Sequence, residues 1–197
     1  TWRVSTLEQG LAAISAAHRT AGFPSPGDDP RARLIWRGIR RSKGVAPRQK
    51  APIRVSQLAR ISEELGDGPR ATRDRAILLF GFAGAFRRAE LVALDRSDLS
   101  WGSDGVTVTI RKAKTDPEGK GDRIGIPKGR NPKTCPVSAL RAWLDLVTSS
   151  GPVFRAVDRH GNVSETRLGA AAVAEIVKVR GALIGLDPLD LGGHSLR

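Results

Sequence analysis

Residues 84–91 read GAFRRAEL and place two adjacent arginines at the end of the longest apolar stretch of the chain, residues 76–86. That stretch is shorter than the roughly 20 residues of a membrane span, so it predicts a buried core helix. A buried arginine is costly unless it is paired or binds an anion. Arg87 and Glu90 are three residues apart, so they can meet on one helical face. The pair is therefore either a structural ion pair or an oriented guanidinium that binds two phosphate oxygens.

A basic hairpin follows this segment. Residues 106–110 (VTVTI) and 123–127 (RIGIP) predict two strands, with the sequence KAKTDPEGKG leading through the tip between them. Lys114 on that tip could protonate a leaving oxygen, which is the work of a general acid. Composition alone favours a solvated hairpin loop.

A third candidate stands at residues 192–197, which read GGHSLR. His194 and Arg197 are three positions apart, so at the start of a helix they face the same way. An imidazole and a guanidinium together could clamp a phosphate and transfer a proton. A single His-x-x-Arg pattern is weak, because many helices contain one by chance.

The charge of the chain points to a polyanionic partner. Lys and Arg number 33 against 20 Asp and Glu, a net charge of +13, which favours nucleic acid. Residues 31–50 contain eight basic residues and no acidic one, and residues 31–41 predict a helix with its arginines on one face. We expect this segment to contact the DNA backbone; a solvated helix face is the alternative. The predicted DNA-binding residues are Arg33, Arg37, Arg40, Arg41, Lys43, Arg48 and Lys50.

The predicted organisation is two domains joined by a basic, proline-rich linker, residues 43–52. The first, 1–42, is a short all-α domain, and the second, 53–197, is mainly helical with a small antiparallel β-hairpin or sheet. The expected fold class is therefore α+β. One cysteine and three scattered histidines predict neither a disulfide framework nor a metal site. The absence of a signal peptide or membrane segment predicts a cytoplasmic protein. Helices of the second domain are predicted over residues 57–65, 136–147 and 168–183, and one helix or a helix pair is predicted over residues 73–94.

The order of the apolar helix, GAFRRAEL, the hairpin with KTDPEGKG, and GHSLR resembles the catalytic domain of the tyrosine recombinases, the phage-integrase family. Three motifs in the family's order are far more specific than any one of them. The resemblance covers nearly the whole chain. It assigns residues 53–197 to a catalytic domain that is incomplete at its C-terminal end, and residues 1–42 to part of the family's helical core-binding domain.

The resemblance implies site-specific DNA recombination or integration by metal-free transesterification through a 3′-phosphotyrosyl intermediate, without a cofactor. The implied partner is double-stranded DNA with attachment or recombination sites, and the implied assembly of the intact protein is a homo-tetramer. These 197 residues contain no tyrosine, so we expect a chain trimmed at both ends that binds DNA without cleaving it. The residues that match the family's catalytic set are Arg87, Lys114, His194 and Arg197, with Glu90 as the carboxylate that supports Arg87.

Three other interpretations stay open. A non-catalytic relative that occupies or blocks recombination sites predicts binding without a covalent intermediate. A topoisomerase of the related type predicts relaxation of supercoils without recombination. A general RNA-binding protein would explain the charge but would leave the three ordered motifs as coincidence.

Overall fold

The computed structural model describes residues 2–44, 50–111 and 121–197. The chain divides into two compact units, Thr1–Gln49 and Lys50–Arg197, and the division falls inside the segment predicted as a linker. Helices predominate and the described strands all lie in the second unit, so the predicted α+β class is confirmed. None of the described helices is both long and apolar enough to span a membrane.

The described part of the first unit has two α-helices, α1 (Val4–Thr20) and α2 (Pro30–Lys43). The Asp29 carboxylate caps α2 by accepting a 2.7 Å hydrogen bond from the backbone N–H of Arg31, and Pro30 occupies the first helical position. No residue of α2 is buried, and the side chains of Leu34 and Ile35 are 66% and 64% exposed. This unit therefore adds little to the apolar core of the protein.

The helices described in the second unit are α3 (Val55–Glu64), α4 (Pro69–Ala83), α5 (Arg88–Ala93), α6 (Pro136–Asp145) and α7 (Ala170–Ala182). A proline begins both α4 and α6. A backbone N–H at this position has no partner within the helix, so its absence in proline costs no helical hydrogen bond. The segment 73–94, predicted as one helix or a helix pair, is a pair, because the chain turns between α4 and α5.

The core of the second unit forms around α4 and α6, which pack against each other. Phe80 of α4 and Leu140 and Trp143 of α6 are fully buried. The indole N–H of Trp143 donates a 2.7 Å hydrogen bond to the Val153 carbonyl, so the polar group of this buried ring is satisfied. Burial of each such large side chain stabilises the fold by about 1.5–3 kcal/mol.

A buried ion cluster joins α4 to α7. The carboxylate of Asp74 is 2% exposed and accepts hydrogen bonds from Arg73 at 2.7 Å and 2.9 Å and from Arg180 at 2.8 Å. A buried carboxylate without such partners would be strongly destabilising, so the two arginines are part of the fold.

The described strands are β1 (Leu99–Trp101), β2 (Gly105–Ile110), β3 (Asp122–Pro127), β4 (Arg155–Val157) and β5 (Val163–Arg167). The first three form an antiparallel sheet in the order β1-β2-β3, and the last two form a separate antiparallel pair. The predicted hairpin is β2 with β3, paired from Gly105 opposite Pro127 to Ile110 opposite Asp122. Residues 112–120 of its tip lie outside the described residues.

Candidate phosphate-binding site

A tight turn between α4 and α5 presents Arg87. A Cβ added at Gly84 would lie 2.2 Å from the ring of Phe86, so only glycine fits there without rearrangement. Ala85 has a φ of 47°, in the left-handed region that residues other than glycine adopt at a cost. The Phe86 ring is 2% exposed and its centroid lies 5.5 Å from that of Phe80. The backbone immediately before Arg87 is therefore fixed by a buried ring.

Arg87 and Glu90 form an ion pair at the start of α5. The guanidinium Nη1 lies 2.5 Å from Oε1 of Glu90, and the backbone N–H of Arg87 donates to Oε2 at 2.8 Å. The side chains are 29% and 9% exposed, so the carboxylate is nearly buried while the guanidinium stays accessible. Within the described residues only Nη1 of this guanidinium is engaged, and a guanidinium carries five N–H donors in all. The pair orients Arg87 and leaves donors for an anionic ligand.

The His-x-x-Arg motif forms a short 3₁₀ helix, Gly193–Leu196, that ends at Arg197. Ser195 and Leu196 are buried, whereas His194 and Arg197 are exposed. Residues three apart lie on the same side of a 3₁₀ helix, which agrees with this division. The predicted imidazole and guanidinium are both accessible to a ligand.

Side-chain packing places this motif next to α5. A Cβ on Gly193 would lie 3.1 Å from Cδ of Arg88, so the stem of that arginine lies against the start of the motif. On α4, a Cβ on Gly81 would lie 3.1 Å from Leu91 of α5 and 3.3 Å from Leu196 of the motif. The segment that carries Arg87 and the segment that carries His194 and Arg197 are therefore neighbours, although they are far apart in sequence.

A network of arginines and aspartates at the base of the hairpin was missed by sequence reasoning. Arg111 follows β2 and donates to Asp98 at 2.6 Å and to Asp95 at 2.9 Å. Arg167 of β5 donates to Asp95 at 2.5 Å and to the Val92 carbonyl in α5 at 2.6 Å. These contacts tie the hairpin base, α5 and β5 together. The partners are 13 to 75 residues apart, so no local pattern in the sequence identifies them.

The same network sets the protonation of Asp95. Burial by itself raises the pKa of this carboxyl, but hydrogen bonds from Arg167 and Arg111 outweigh burial and hold the pKa below its ordinary value. The pKa of Arg111 is raised, first by its hydrogen bond to Asp98 and then by that to Asp95. Asp95 is therefore ionised at neutral pH, as its two ion pairs require.

The basic residues of α2 divide into paired and unpaired groups. Arg33 forms a 2.9 Å ion pair with Asp28, and Arg40 lies 3.8 Å from Glu8. Each of these two side chains already has a carboxylate partner within the unit, so we expect it to contribute less to DNA binding. The basic side chains of α2 that are exposed and have no ion-pair partner among the described residues are Arg37, Arg41 and Lys43.

The remaining predicted residues fall into two groups. Arg48 and Lys114 lie outside the described residues. Lys50 begins the second unit, and its ammonium donates a 2.6 Å hydrogen bond to the Leu189 carbonyl. Across residues 2–44, 50–111 and 121–197, no group of three or more His, Cys, Asp or Glu side chains is placed to hold a metal ion.

Sequence relatives of the chain are recombinases. No protein-family model matches it. An integrase/recombinase XerD homolog of Selenomonas ruminantium is 38% identical over 201 residues, which cover 99% of this chain and 59% of that protein. The tyrosine recombinase XerC of Mycobacterium leprae is 30% identical over 202 residues, which cover 98% of this chain and 61% of that protein. The chain thus spans about three fifths of the length of these relatives.

Solved structures of recombinases share the fold. The crystal structure of XerA recombinase matches with a TM-score of 0.54 over 99% of this chain and 60% of that chain, at 16% identity. XerH recombinase bound to a palindromic difH substrate in a post-cleavage complex matches with a TM-score of 0.55 over 76% of this chain and 39% of that chain, at 15% identity. At these identities the likeness concerns the fold alone. The chain is therefore similar in sequence to an integrase/recombinase and to tyrosine recombinases, and it has the fold of solved recombinases.

Proposed function

We propose that the protein to which these residues belong carries out site-specific DNA recombination by metal-free transesterification. The observation that carries the proposal is the placement of an oriented, accessible Arg87 on the segment that packs against the exposed His194–Arg197 motif. Two guanidinium groups and an imidazole on neighbouring segments suit a phosphodiester, whose charge grows as it becomes pentacoordinate.

The proposed reaction is a balanced exchange of phosphoester bonds. A tyrosine hydroxyl attacks the scissile phosphorus and passes its proton to His194, a 3′-phosphotyrosyl bond forms, and the bond to the 5′ oxygen breaks. The 5′ oxygen takes up a proton as it leaves, and Lys114 is the proposed donor. Because one phosphoester replaces another, no nucleoside triphosphate and no cofactor is needed.

Each of the other residues has a defined part. Arg87 and Arg197 donate to the non-bridging phosphate oxygens, and the loss of one such pre-aimed donor typically costs on the order of 10²–10³ in rate. Glu90 holds Arg87 in place through both carboxylate oxygens. His194 stabilises the same phosphate and accepts the proton of the attacking hydroxyl.

The first unit supplies sequence-independent contacts in this proposal. Arg37, Arg41 and Lys43 are exposed cations of a single helix, and Arg37 and Arg41, four residues apart, lie on one side of it, a pattern suited to the DNA backbone. The prediction that Arg33, Arg40 and Arg48 add to this contact stays a prediction. The proposal carries with it a cytoplasmic site of action and four subunits of the intact protein on two DNA segments.

A second candidate function rests on the absence of tyrosine from these 197 residues. By themselves the residues can bind and orient a phosphate but have no hydroxyl of the required kind, so we propose that they bind duplex DNA without cleaving it. A natural product with the same property would occupy recombination sites, or block them, without a covalent intermediate.

Covalent trapping separates the two candidates. The product of the whole reading frame and the 197 residues alone are each incubated with a pool of nicked duplexes of randomised sequence and then denatured. Recombination predicts a covalent DNA adduct for the whole product, abolished by Arg87→Ala, and none for the 197 residues. If the whole product contains a tyrosine after Arg197 yet yields no adduct, the recombination proposal is wrong and the site-occupying function is supported.

A further inference from the structure

The first residues of the second unit lie along the segment that leads into the His-x-x-Arg motif. The backbone N–H of Ala51 donates to the Asp190 carbonyl at 2.7 Å, and that of Ile53 donates to the Ser195 carbonyl at 2.8 Å. Ile53 is 3% exposed, so the second of these bonds is anchored in the core. One of these bonds therefore fixes the segment before the motif, and the other fixes Ser195 inside the motif.

The side chain of Lys50 reinforces this attachment. Its ammonium donates to the Leu189 carbonyl at 2.6 Å. Its stem passes Gly192, where an added Cβ would lie 3.6 to 3.8 Å from Cγ, Cδ and Cε of the lysine. One basic side chain thus covers the segment from Leu189 to Gly192, immediately before His194.

The segment needs such support because it contains two consecutive glycines. Glycine has the largest backbone freedom of any residue, so Gly192 and Gly193 alone would leave the direction of His194 and Arg197 poorly fixed. The stem of Lys50 lies against Gly192 and the stem of Arg88 lies against Gly193. Catalytic donors are effective only when their positions are set before the reaction, so restraint of this pair of glycines bears directly on the motif.

We propose that Lys50 is a positioning residue for His194 and Arg197, and that it acts through the Leu189 carbonyl rather than through a DNA phosphate. This differs from the expectation that Lys50 contacts the DNA backbone. The part of the proposal that concerns DNA rests on the proposed function, whereas the effect on the motif can be measured with no DNA present.

The test compares Lys50→Met, which keeps the stem and removes the donor, with Lys50→Arg, which keeps a donor. Amide hydrogen exchange is measured on residues 189–197 of the free chain, where the N–H groups of Gly192 and Ser195 are hydrogen-bonded within the motif. Helix α4 serves as the internal control for global folding. In Lys50→Met we expect the exchange rate of the motif to rise roughly three- to tenfold, while that of α4 stays unchanged. In Lys50→Arg we expect the motif to exchange at the parent rate.

DNA binding supplies the second measurement, with Lys43→Met as the matched control. Lys43 is exposed and has no ion-pair partner among the described residues. Each phosphate contact contributes about 0.9 to the slope of log affinity against log salt concentration. We expect Lys43→Met to reduce the slope by about that amount and Lys50→Met to leave it unchanged. Unaltered motif exchange in Lys50→Met would overturn the proposal, as would a loss of slope equal to that of Lys43→Met. If the parent chain fails to bind DNA, the proposed function fails while the exchange result still decides the role of Lys50.

Discussion

Replacing Gly84 by alanine tests whether the turn before Arg87 is fixed by the buried Phe86 ring. The new Cβ would lie 2.2, 2.5 and 2.7 Å from three atoms of that ring, whereas carbon atoms in contact rest about 3.5–4.0 Å apart. The ring must therefore move by roughly 1 Å, although it is 2% exposed and packs against Phe80. Overpacking of this kind costs about 1–3 kcal/mol, and we expect Gly84→Ala to lower the free energy of unfolding by about 2–3 kcal/mol.

Ala85→Gly is the matched control, because it removes a Cβ at the next residue, whereas Gly84→Ala adds one. The φ of 47° at Ala85 places this alanine in a region that costs an L-residue about 1–2 kcal/mol. Glycine relieves that strain, but its larger conformational entropy stabilises the unfolded chain by about 0.4–1 kcal/mol. We expect Ala85→Gly to raise the free energy of unfolding by roughly 0–1.6 kcal/mol, the difference between these two terms.

Urea denaturation followed by tryptophan fluorescence measures both variants, since Trp143 is fully buried in the second unit. The reasoning is refuted if Gly84→Ala unfolds within about 0.5 kcal/mol of the parent, the range of an ordinary surface change. It is also refuted if Ala85→Gly destabilises the chain as much as Gly84→Ala does.

Three more predictions concern the charged groups. Glu90→Gln removes the charge that orients Arg87, and we expect the free energy of unfolding in urea to fall by about 1–2 kcal/mol; an unchanged value would mean that the ion pair contributes nothing. The pKa of Asp95 is lowered in the folded protein, so its carboxylate stabilises the fold above about pH 3.9, the pKa of an unfolded aspartate. This contribution to the free energy of unfolding is lost as the pH falls through the folded pKa. Between about pH 5 and pH 3 the parent should therefore lose stability more steeply than Asp95→Asn, and parallel melting curves would contradict this. Arg37→Met should reduce the salt slope of DNA binding by about 0.9 and Arg33→Met by less, because Arg33 is paired within its unit; equal reductions would remove the distinction.

Helices with strong local signals could be predicted closely from the sequence. The amphipathic pattern over 31–41 corresponds to α2, Pro30–Lys43, and the segment 136–147 corresponds to α6, Pro136–Asp145. In both cases a proline at the first helical position marks the start, and the apolar spacing continues for several turns. Such signals act within a few residues and do not depend on tertiary contacts.

The short strands could not be predicted in the same way. β1 has only three residues, Leu99–Trp101, too few to establish a period of two. β5 reads VSETR and has no buried residue, so no alternation of apolar and polar positions identifies it. Both strands exist because a partner strand completes their hydrogen bonds, and the sequence of one strand carries little information about that partner.

The candidate site shows the same division. The contact between Arg87 and Glu90 follows from their three-residue spacing, and the structure contains it. The contact of Arg88 with Gly193 and the Arg111–Asp98 pair arise from packing between distant segments, so spacing could not indicate them. Local chemistry was therefore predictable, and the geometry that assembles it was not.

The salt dependence of duplex DNA binding by Arg87→Met tests the central claim, that Arg87 contacts a DNA phosphate. Arg159→Met is the control, because Arg159 lies far from Arg87. Its turn also contains Gly161, where an added Cβ would lie 3.8 Å from Pro69, at the end of α4 opposite to Arg87. The 15 residues of α4 separate that turn from Arg87 by about 22 Å. We predict that Arg87→Met reduces the slope by about 0.9 while Arg159→Met leaves it at the parent value. An unchanged slope in Arg87→Met, with the protein still folded, would contradict the account.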